Sequence, residues 1–179
     1  MNVLLHICCA NCAIYPARVL RESGHTVVGY FFNHNIHPYQ EYRRRLKTVE
    51  DYAAASDLQV VYKDEYLLED FLAQVAMEPA NRCTYCYQSR LKQAAEYAVN
   101  SGYDAFTTSL LYSRYQNHEL IQKMGEELGQ HYGIEFLYED YRTGWQEGIK
   151  ASKAMGLYRQ QYCGCIYSEK DRYHPGNNN

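Results

Sequence analysis

The chain has 179 residues, the length of one domain, and can bury roughly 70% of the surface that its unfolded form exposes. Hydrophobic residues make up 46% of it, but no apolar run approaches the ~20 residues that a membrane helix needs, so we expect no membrane association. The net charge of −3 excludes nucleic-acid binding through overall basicity, and any RNA partner must be held by a local patch.

Runs of β-branched and aromatic residues alternate with helical patterns along the chain. The predicted strands cover residues 3–7, 26–32, 58–62, 105–110 and 134–138. The predicted helices cover residues 13–22, 39–55, 66–76, 86–99, 116–128 and 145–154. Residues 158–167 are predicted to form a loop, and a disordered tail is predicted over about residues 172–179.

This alternation favours a single α/β domain over residues 1–179, with a Rossmann-like parallel sheet of about five strands between two layers of helices. Ligands of such three-layer folds bind at the carboxyl ends of the strands. The chemically notable residues follow strands one, two, four and five or lie in the loops between elements. We therefore expect one edge of the sheet to collect them.

Cysteine is the most informative residue type in the chain. The N-terminus has no basic region and no cleavage site typical of a secretory signal, so a cytoplasmic location is expected. Seven cysteines in such a chain argue against a secreted disulfide scaffold and favour metal or redox chemistry.

Five of the cysteines form two groups with metal-ligand spacing. Cys8, Cys9 and Cys12 follow the first strand, and Cys83 and Cys86 form a second C-x-x-C at the start of a helix. Together the two C-x-x-C pairs can supply four thiolates to one centre, which fits zinc or an iron–sulfur cluster equally well by number. A closed zinc site has no use for Cys8, so the fifth cysteine favours redox chemistry.

The remaining two cysteines lie in the sequence Cys163-Gly164-Cys165. The spacing allows a small, strained disulfide ring, and strained disulfides are comparatively reducible, which favours a redox-active pair. Two further metal ligands, or two inert thiols, are the alternatives.

Two loops carry candidate catalytic and substrate-binding residues. The loop after the second strand contains Asn33, His34, Asn35 and His37; the histidines can ligate metal or move protons, and the asparagines can shape a turn or contact substrate. After the fourth strand, the candidate substrate-binding residues are Thr107, Thr108, Ser109 and Gln116. Asp140, at the end of the fifth strand, is the best-placed carboxylate for a metal or a proton.

A basic run lies in the second predicted helix. Arg43, Arg44, Arg45 and Lys47 form either a solvated helix face or a phosphate-binding patch, which Arg82 and Arg90 would extend. The surplus of tyrosines, 20 against one tryptophan, also suits the stacking of RNA bases.

Several segments, taken together and in order, resemble the cobalamin-independent epoxyqueuosine reductases. They are LLHICCANC, YFFNHNIHPYQEYRRRL, CTYCYQSRL, FTTSLLYSRYQNH, EDYR and YRQQYCGCIYS, and they span nearly the whole chain. The resemblance implies a fold akin to adenine-nucleotide α-hydrolases, a 4Fe–4S cluster and a nearby single iron. It also implies reduction of the epoxide of epoxyqueuosine at the tRNA wobble position, with electrons from a partner such as a ferredoxin or flavodoxin.

The resemblance also carries roles to particular residues. Cys9, Cys12, Cys83 and Cys86 match the cluster cysteines with Cys8 beside them, Asp140 matches an acidic position that the resemblance assigns to the extra iron, and Cys163 and Cys165 match the family's C-G-C pair. This chain has Asn11, His34 and Arg114 where the family usually has proline, which bears on local loop shape and not on the cysteines.

Two other functions fit parts of the pattern. A tRNA-thiolating or ATP-pyrophosphatase-like enzyme would use the cysteines for sulfur transfer, but the sequence has no phosphate-binding loop motif. A zinc-stabilised RNA-binding module would leave the fifth cysteine and the C-G-C pair without a use. Detectable ATP binding would favour the first, and a colourless zinc protein the second.

Overall fold

The computed structural model describes residues 1–177 and consists of five strands and seven α-helices, joined by loops and short 3-10 turns. The strands are β1 (Asn2–His6), β2 (Thr26–Phe31), β3 (Val60–Tyr62), β4 (Ala105–Thr108) and β5 (Glu135–Phe136). The helices are α1 (Ala10–Glu22), α2 (Tyr39–Ser56), α3 (Leu68–Val75), α4 (Arg82–Asn100), α5 (His118–Tyr132), α6 (Trp145–Ala154) and α7 (Ile166–Tyr173).

The strands form one parallel sheet in the order β3-β2-β1-β4-β5, which confirms the predicted fold class. In the centre, Val3 of β1 is paired with Val27 of β2 on one side and with Ala105 of β4 on the other. Strand β1 is apolar because both of its faces are covered, and Val3, Leu4 and Leu5 are fully buried.

The helices cover both faces of the sheet. Helix α1 packs against α2 and α6, whereas α4 packs against β1, β4 and α5. Gly133, at a φ of 69°, ends α5 in the left-handed conformation that glycine adopts without steric cost. None of the helices within residues 1–177 has the length and apolar character needed to cross a bilayer.

The structure differs from the sequence-based expectation mainly near the cysteines. Helix α4 begins at Arg82 instead of residue 86, so Cys83 and Cys86 both lie in its first turns. Helix α7 was not predicted, because its eight residues contain no buried side chain and hence no apolar periodicity. This helix and a 3-10 turn at Pro175–Asn177 replace the predicted disorder up to residue 177, and residues 178 and 179 lie outside the described residues.

Candidate metal and redox site

The strand order reverses between β1 and β4, and the loops that leave these two strands line a large cavity. Cys8 follows β1 and Ser109 follows β4, and the Cys8 amide donates to the Ser109 hydroxyl at 2.9 Å. The cavity has a volume of about 970 Å³. Open parallel sheets bind ligands at this reversal point, so the topology itself marks the cavity as the candidate site.

Three thiols converge on the wall of this cavity. The Sγ atoms of Cys8, Cys9 and Cys12 all lie within 4.8 Å of one another, a grouping that could hold a metal ion. Cys9 is the N-cap of α1, so the three thiols surround the positive end of that helix. Hydrogen bonds from Cys12, Cys9 and Ser109 lower the pKa of the Cys8 thiol well below its usual value, although burial opposes them. The Cys8 sulfur is therefore suited to carry negative charge, whereas hydrogen bonding to Cys8 and burial raise the pKa values of the Cys9 and Cys12 thiols.

The other four cysteines lie where α4 meets the start of α7. Cys86 and Cys165 share a small buried apolar cluster with Phe71 and Val75, while Cys163 is exposed and lines the cavity. Burial raises the pKa of Cys86 to about 12, an effect that the adjacent Arg90 guanidinium opposes. Cys83 and Cys86 are not part of the compact group of three and do not line the cavity, and the two C-x-x-C pairs lie at the N-termini of different helices.

All seven cysteines, each within the described chain, are free thiols. No disulfide joins Cys163 and Cys165 in this structure. The Cys163 Sγ accepts from Gln116 Nε2 at 3.4 Å, and the Cys165 Sγ accepts from the Ser168 amide at 3.4 Å as the N-cap of α7. The predicted redox role of the pair stays a prediction.

The basic run of α2 does not form the continuous patch that was expected. Arg45 is only 2% exposed, and its guanidinium bonds Glu41 at 2.7 Å and the carbonyls of Cys163 and Tyr162 at 2.6 and 3.0 Å. Successive helical residues point about 100° apart, so Arg45 faces inward while its neighbours face solvent. Arg45 therefore fixes the C-G-C segment over the cavity and is unavailable to phosphates on the surface.

The exposed cations of the run have their own partners. Arg43 pairs with Asp64 at 2.9 Å, Lys47 pairs with Asp51 at 2.5 Å, and Arg44 lies over the Tyr158 ring. The two predicted extensions of the patch are also engaged: Arg82 pairs with Asp171, and Arg90 is fully buried among the thiols. The location of the predicted phosphate patch was wrong for Arg45 and Arg90, because a buried guanidinium cannot reach a phosphate in solvent.

The two candidate catalytic histidines do not line the cavity. His34 lies between the rings of Phe32, Phe71 and Tyr85, and burial lowers its pKa to about 3. Burial also lowers the pKa of His37 to about 4; its Nε2 donates to the His34 carbonyl at 3.0 Å and its Nδ1 accepts from the Ile166 amide at 3.3 Å. Both rings are neutral at pH 7 and pack the loop after β2, which favours a structural role over proton transfer.

Asp140 is paired with its neighbour Arg142 and does not line the cavity. Arg142 binds both carboxylate oxygens, at 2.8 and 2.7 Å, and Asp140 caps the following 3-10 turn. These hydrogen bonds from Arg142 lower the pKa of Asp140 to about 2. Among the described residues the metal-ligating group does not include Asp140, so the geometry gives no support to its predicted role as an iron ligand.

The predicted substrate-binding residues divide into two sets. Asn35 and Gln116 line the cavity, and Ser109 donates to the Cys8 Sγ at 3.3 Å. Asn33, Thr107 and Thr108 are buried behind them. Asn33 Nδ2 donates to the Ile7 carbonyl at 2.8 Å, and Thr108 Oγ1 contacts His6 Nδ1 at 2.9 Å, so these two support the ends of β1 and β2.

The cavity wall also contains residues that were not among the predicted site residues. Six of them are Asn11, Tyr112, Tyr115, Trp145, Arg159 and Gln160. Gln160 Nε2 contacts the Cys9 Sγ at 2.8 Å, and Gln160 Oε1 accepts from Asn11 at 2.7 Å, which ties the segment before Cys163 to the thiol group. The sequence offered one signal for these residues, namely its single tryptophan, which lies close to a basic and aromatic segment.

The fold and the site together define a Rossmann-like α/β protein with a thiol-rich cavity at the switch point of its sheet. A family model described as "Epoxyqueuosine reductase QueH" matches residues 3–171. Similar proteins named "Epoxyqueuosine reductase QueH" come from Dehalococcoides mccartyi, 36% identical over 96% of this chain and 94% of that protein, and Thermotoga maritima, 33% identical over 96% and 92%. A Haemophilus influenzae protein of the same name is 34% identical over 95% of this chain and 72% of its own length. The chain belongs to the epoxyqueuosine reductase QueH family.

Proposed function

We propose that this protein reduces the epoxide of epoxyqueuosine, at the wobble position of a tRNA, to the cyclopentene of queuosine. The reaction consumes two electrons and two protons, and the epoxide oxygen leaves as water. Membership of a family of enzymes named for this reduction supports the proposal, as does a cavity of about 970 Å³ with thiols on its walls. We further propose that the enzyme needs no cobalamin, works in the cytoplasm and takes its electrons from a partner such as a ferredoxin or flavodoxin.

One observation carries the iron–sulfur part of the proposal. Arg90 is fully buried, its guanidinium contacts the Cys86 Sγ at 3.0 Å, and within residues 1–177 no carboxylate forms an ion pair with it. A buried charge without a counter-ion costs several kcal/mol. The thiols of Cys86, Cys163 and Cys8 are the groups whose negative charge would stabilise this cation. The site is therefore built to hold anionic sulfur, which suits a thiolate-ligated centre.

We propose that Cys9, Cys12, Cys83 and Cys86 hold a 4Fe–4S cluster and that Cys8 lies next to an additional iron. When bound, this group supplies electrons singly and a Lewis acid for the epoxide oxygen. The residues of the chain then have separate tasks. Arg90 balances charge, Ser109 and Gln160 orient the Cys8 and Cys9 sulfurs, and Arg45 keeps residues 162–163 over the cavity. Asp140 is not among the ligands that we propose.

Anaerobically purified protein is expected to be brown, with broad charge-transfer absorption and about four sulfide-bound irons from the two C-x-x-C pairs. Cys86→Ser is expected to lose this absorption and the conversion of epoxyqueuosine tRNA, followed by nucleoside mass analysis with dithionite as reductant. Far-UV circular dichroism is the control for folding. A colourless protein with one tightly held zinc, or an iron-loaded protein that leaves the epoxide intact, would contradict the proposal.

The Cys163 and Cys165 pair gives a second expected result. If the two thiols relay electrons as a dithiol and disulfide, Cys163→Ser and Cys165→Ser keep wild-type iron content but lose multiple turnovers with a protein donor. A strong small-molecule reductant restores part of the activity. Loss of iron in either variant would instead make these sulfurs ligands, and wild-type rates with every donor would leave the pair a purely structural role.

A further inference from the structure

The outer rim of the cavity carries aromatic rings and arginines that the proposed chemistry does not use. Tyr115 lines the cavity but is 85% exposed, and its ring stands at 75° to that of Trp145, with the centroids 5.7 Å apart. The Arg114 guanidinium lies over the Trp145 ring at 5.7 Å. The Tyr115 amide donates to the Ser113 hydroxyl at 3.3 Å, which fixes the backbone that presents the ring.

The charge of the cavity is opposite to that of the whole chain. Of the four arginines in its lining, Arg45 is paired with Glu41 and Arg90 lies against the thiols, which leaves Arg159 and Arg172; the one carboxylate of the lining, Asp171, is paired with Arg82. Throughout the part of the chain that the structure describes, Arg114, Arg159 and Arg172 form no ion pair with a carboxylate. Positive charge is thus concentrated at this opening in a protein of net charge −3.

We infer that the exposed ring of Tyr115, which Trp145 supports in an edge-to-face contact, forms a stacking platform for an unpaired base of single-stranded RNA, and that Arg159 and Arg172 contact the phosphates beside it. Aromatic faces bind splayed-out bases of RNA loops, and arginines near them hold the backbone. The inference rests on the proposed function, because the platform would hold a base that neighbours the reacting nucleoside. In this proposal the rim of the cavity, and not the basic run of α2, contacts the RNA, because Arg43 and Lys47 already have carboxylate partners.

The decisive experiment measures binding of an unmodified anticodon stem-loop RNA to the anaerobically purified protein, by fluorescence anisotropy of labelled RNA. Tyr115→Ala is expected to weaken binding about ten-fold or more, the usual effect of losing one base–aromatic stack. Tyr39→Ala, which removes a 54% exposed tyrosine outside the cavity lining, is the matched control and keeps wild-type affinity. Arg159→Gln and Arg172→Gln each reduce the slope of log affinity against log salt by about one.

Two further measurements separate the platform from a general loss of function. Trp145 is the only tryptophan of the sequence, so its fluorescence should respond to the stem-loop but not to a duplex of the same stem without a loop. With epoxyqueuosine tRNA, Tyr115→Ala should raise KM and leave kcat near the wild-type value.

The outcomes distinguish the two proposals. If the wild type binds the stem-loop through Tyr115 but never reduces the epoxide, the platform stands and the reductase assignment fails. If the wild type reduces the epoxide and Tyr115→Ala binds and reacts like it, the platform fails alone. Equal weakening by Tyr39→Ala, or equal binding of the loop-free duplex, also overturns the platform.

Discussion

Replacement of Arg90 by methionine is expected to lower the iron content of the protein at least ten-fold, while the iron-free protein unfolds no more easily than the wild type. In the iron-free protein the substitution removes a buried guanidinium that lacks a carboxylate partner, and similar replacements of buried charges by apolar residues are often neutral or stabilising. In the iron-loaded protein it removes the cation that balances anionic sulfur. Arg90→Met should therefore maintain or raise the free energy of unfolding of the iron-free protein and lower that of the iron-loaded protein.

The measurement combines iron and sulfide analysis after anaerobic reconstitution with denaturant unfolding at pH 7, with and without iron. Arg90→Lys keeps the charge and is expected to retain most of the iron. Lys92→Met removes an exposed charge from the same helix, where it contacts Glu96 at 3.8 Å, and should change neither quantity. Wild-type iron content in Arg90→Met, with an unchanged reduction potential, would show that the site does not need this cation.

The wild-type protein is expected to lose stability as the pH falls from 7 to 5, and His34→Phe should remove part of this loss. Burial lowers the pKa of His34 in the folded state to about 3, below the usual ~6.5 of an unfolded chain. The stabilisation that comes from a neutral His34 is therefore fully present above pH 6.5 and declines towards pH 3. As the pH falls, this histidine takes up its proton in the unfolded chain before it does so in the folded one. For this one histidine the loss of unfolding free energy between pH 7 and pH 5 is about 2 kcal/mol.

Unfolding in denaturant at pH 7 and pH 5 tests this expectation on the iron-free protein. His34→Phe places a third phenyl ring beside Phe32 and Phe71, where both ring nitrogens of His34 lack a hydrogen-bond partner among the described residues. His34→Gln is the matched variant: it should flatten the pH dependence equally but lower stability at both pH values, since it buries an amide. An unchanged pH dependence in both variants would show that His34 is not protonated on unfolding.

The sequence was sufficient for the features that depend on local patterns. Alternating apolar periods along the chain predicted the parallel α/β sheet, and the spacing of Cys8, Cys9 and Cys12 predicted a thiol group at the end of β1. A strand buried on both faces and a helix with one buried face have different apolar periods. A C-x-x-C at the N-terminus of a helix brings its sulfurs together within a single turn. Such features need no knowledge of distant residues.

Only the tertiary structure decided what the charged residues do. The sequence shows three consecutive arginines in α2, but the helix turns about 100° per residue, so Arg45 is buried against residues 162–163 while Arg43 binds Asp64 in solvent. Arg90 likewise reads as a surface cation, although α4 directs it between the thiols. The partners of Arg43 and Arg45 are distant in sequence, and Arg90 is buried beside Cys86 only because of how α4 packs; helix packing on the sheet is not encoded locally by residue types.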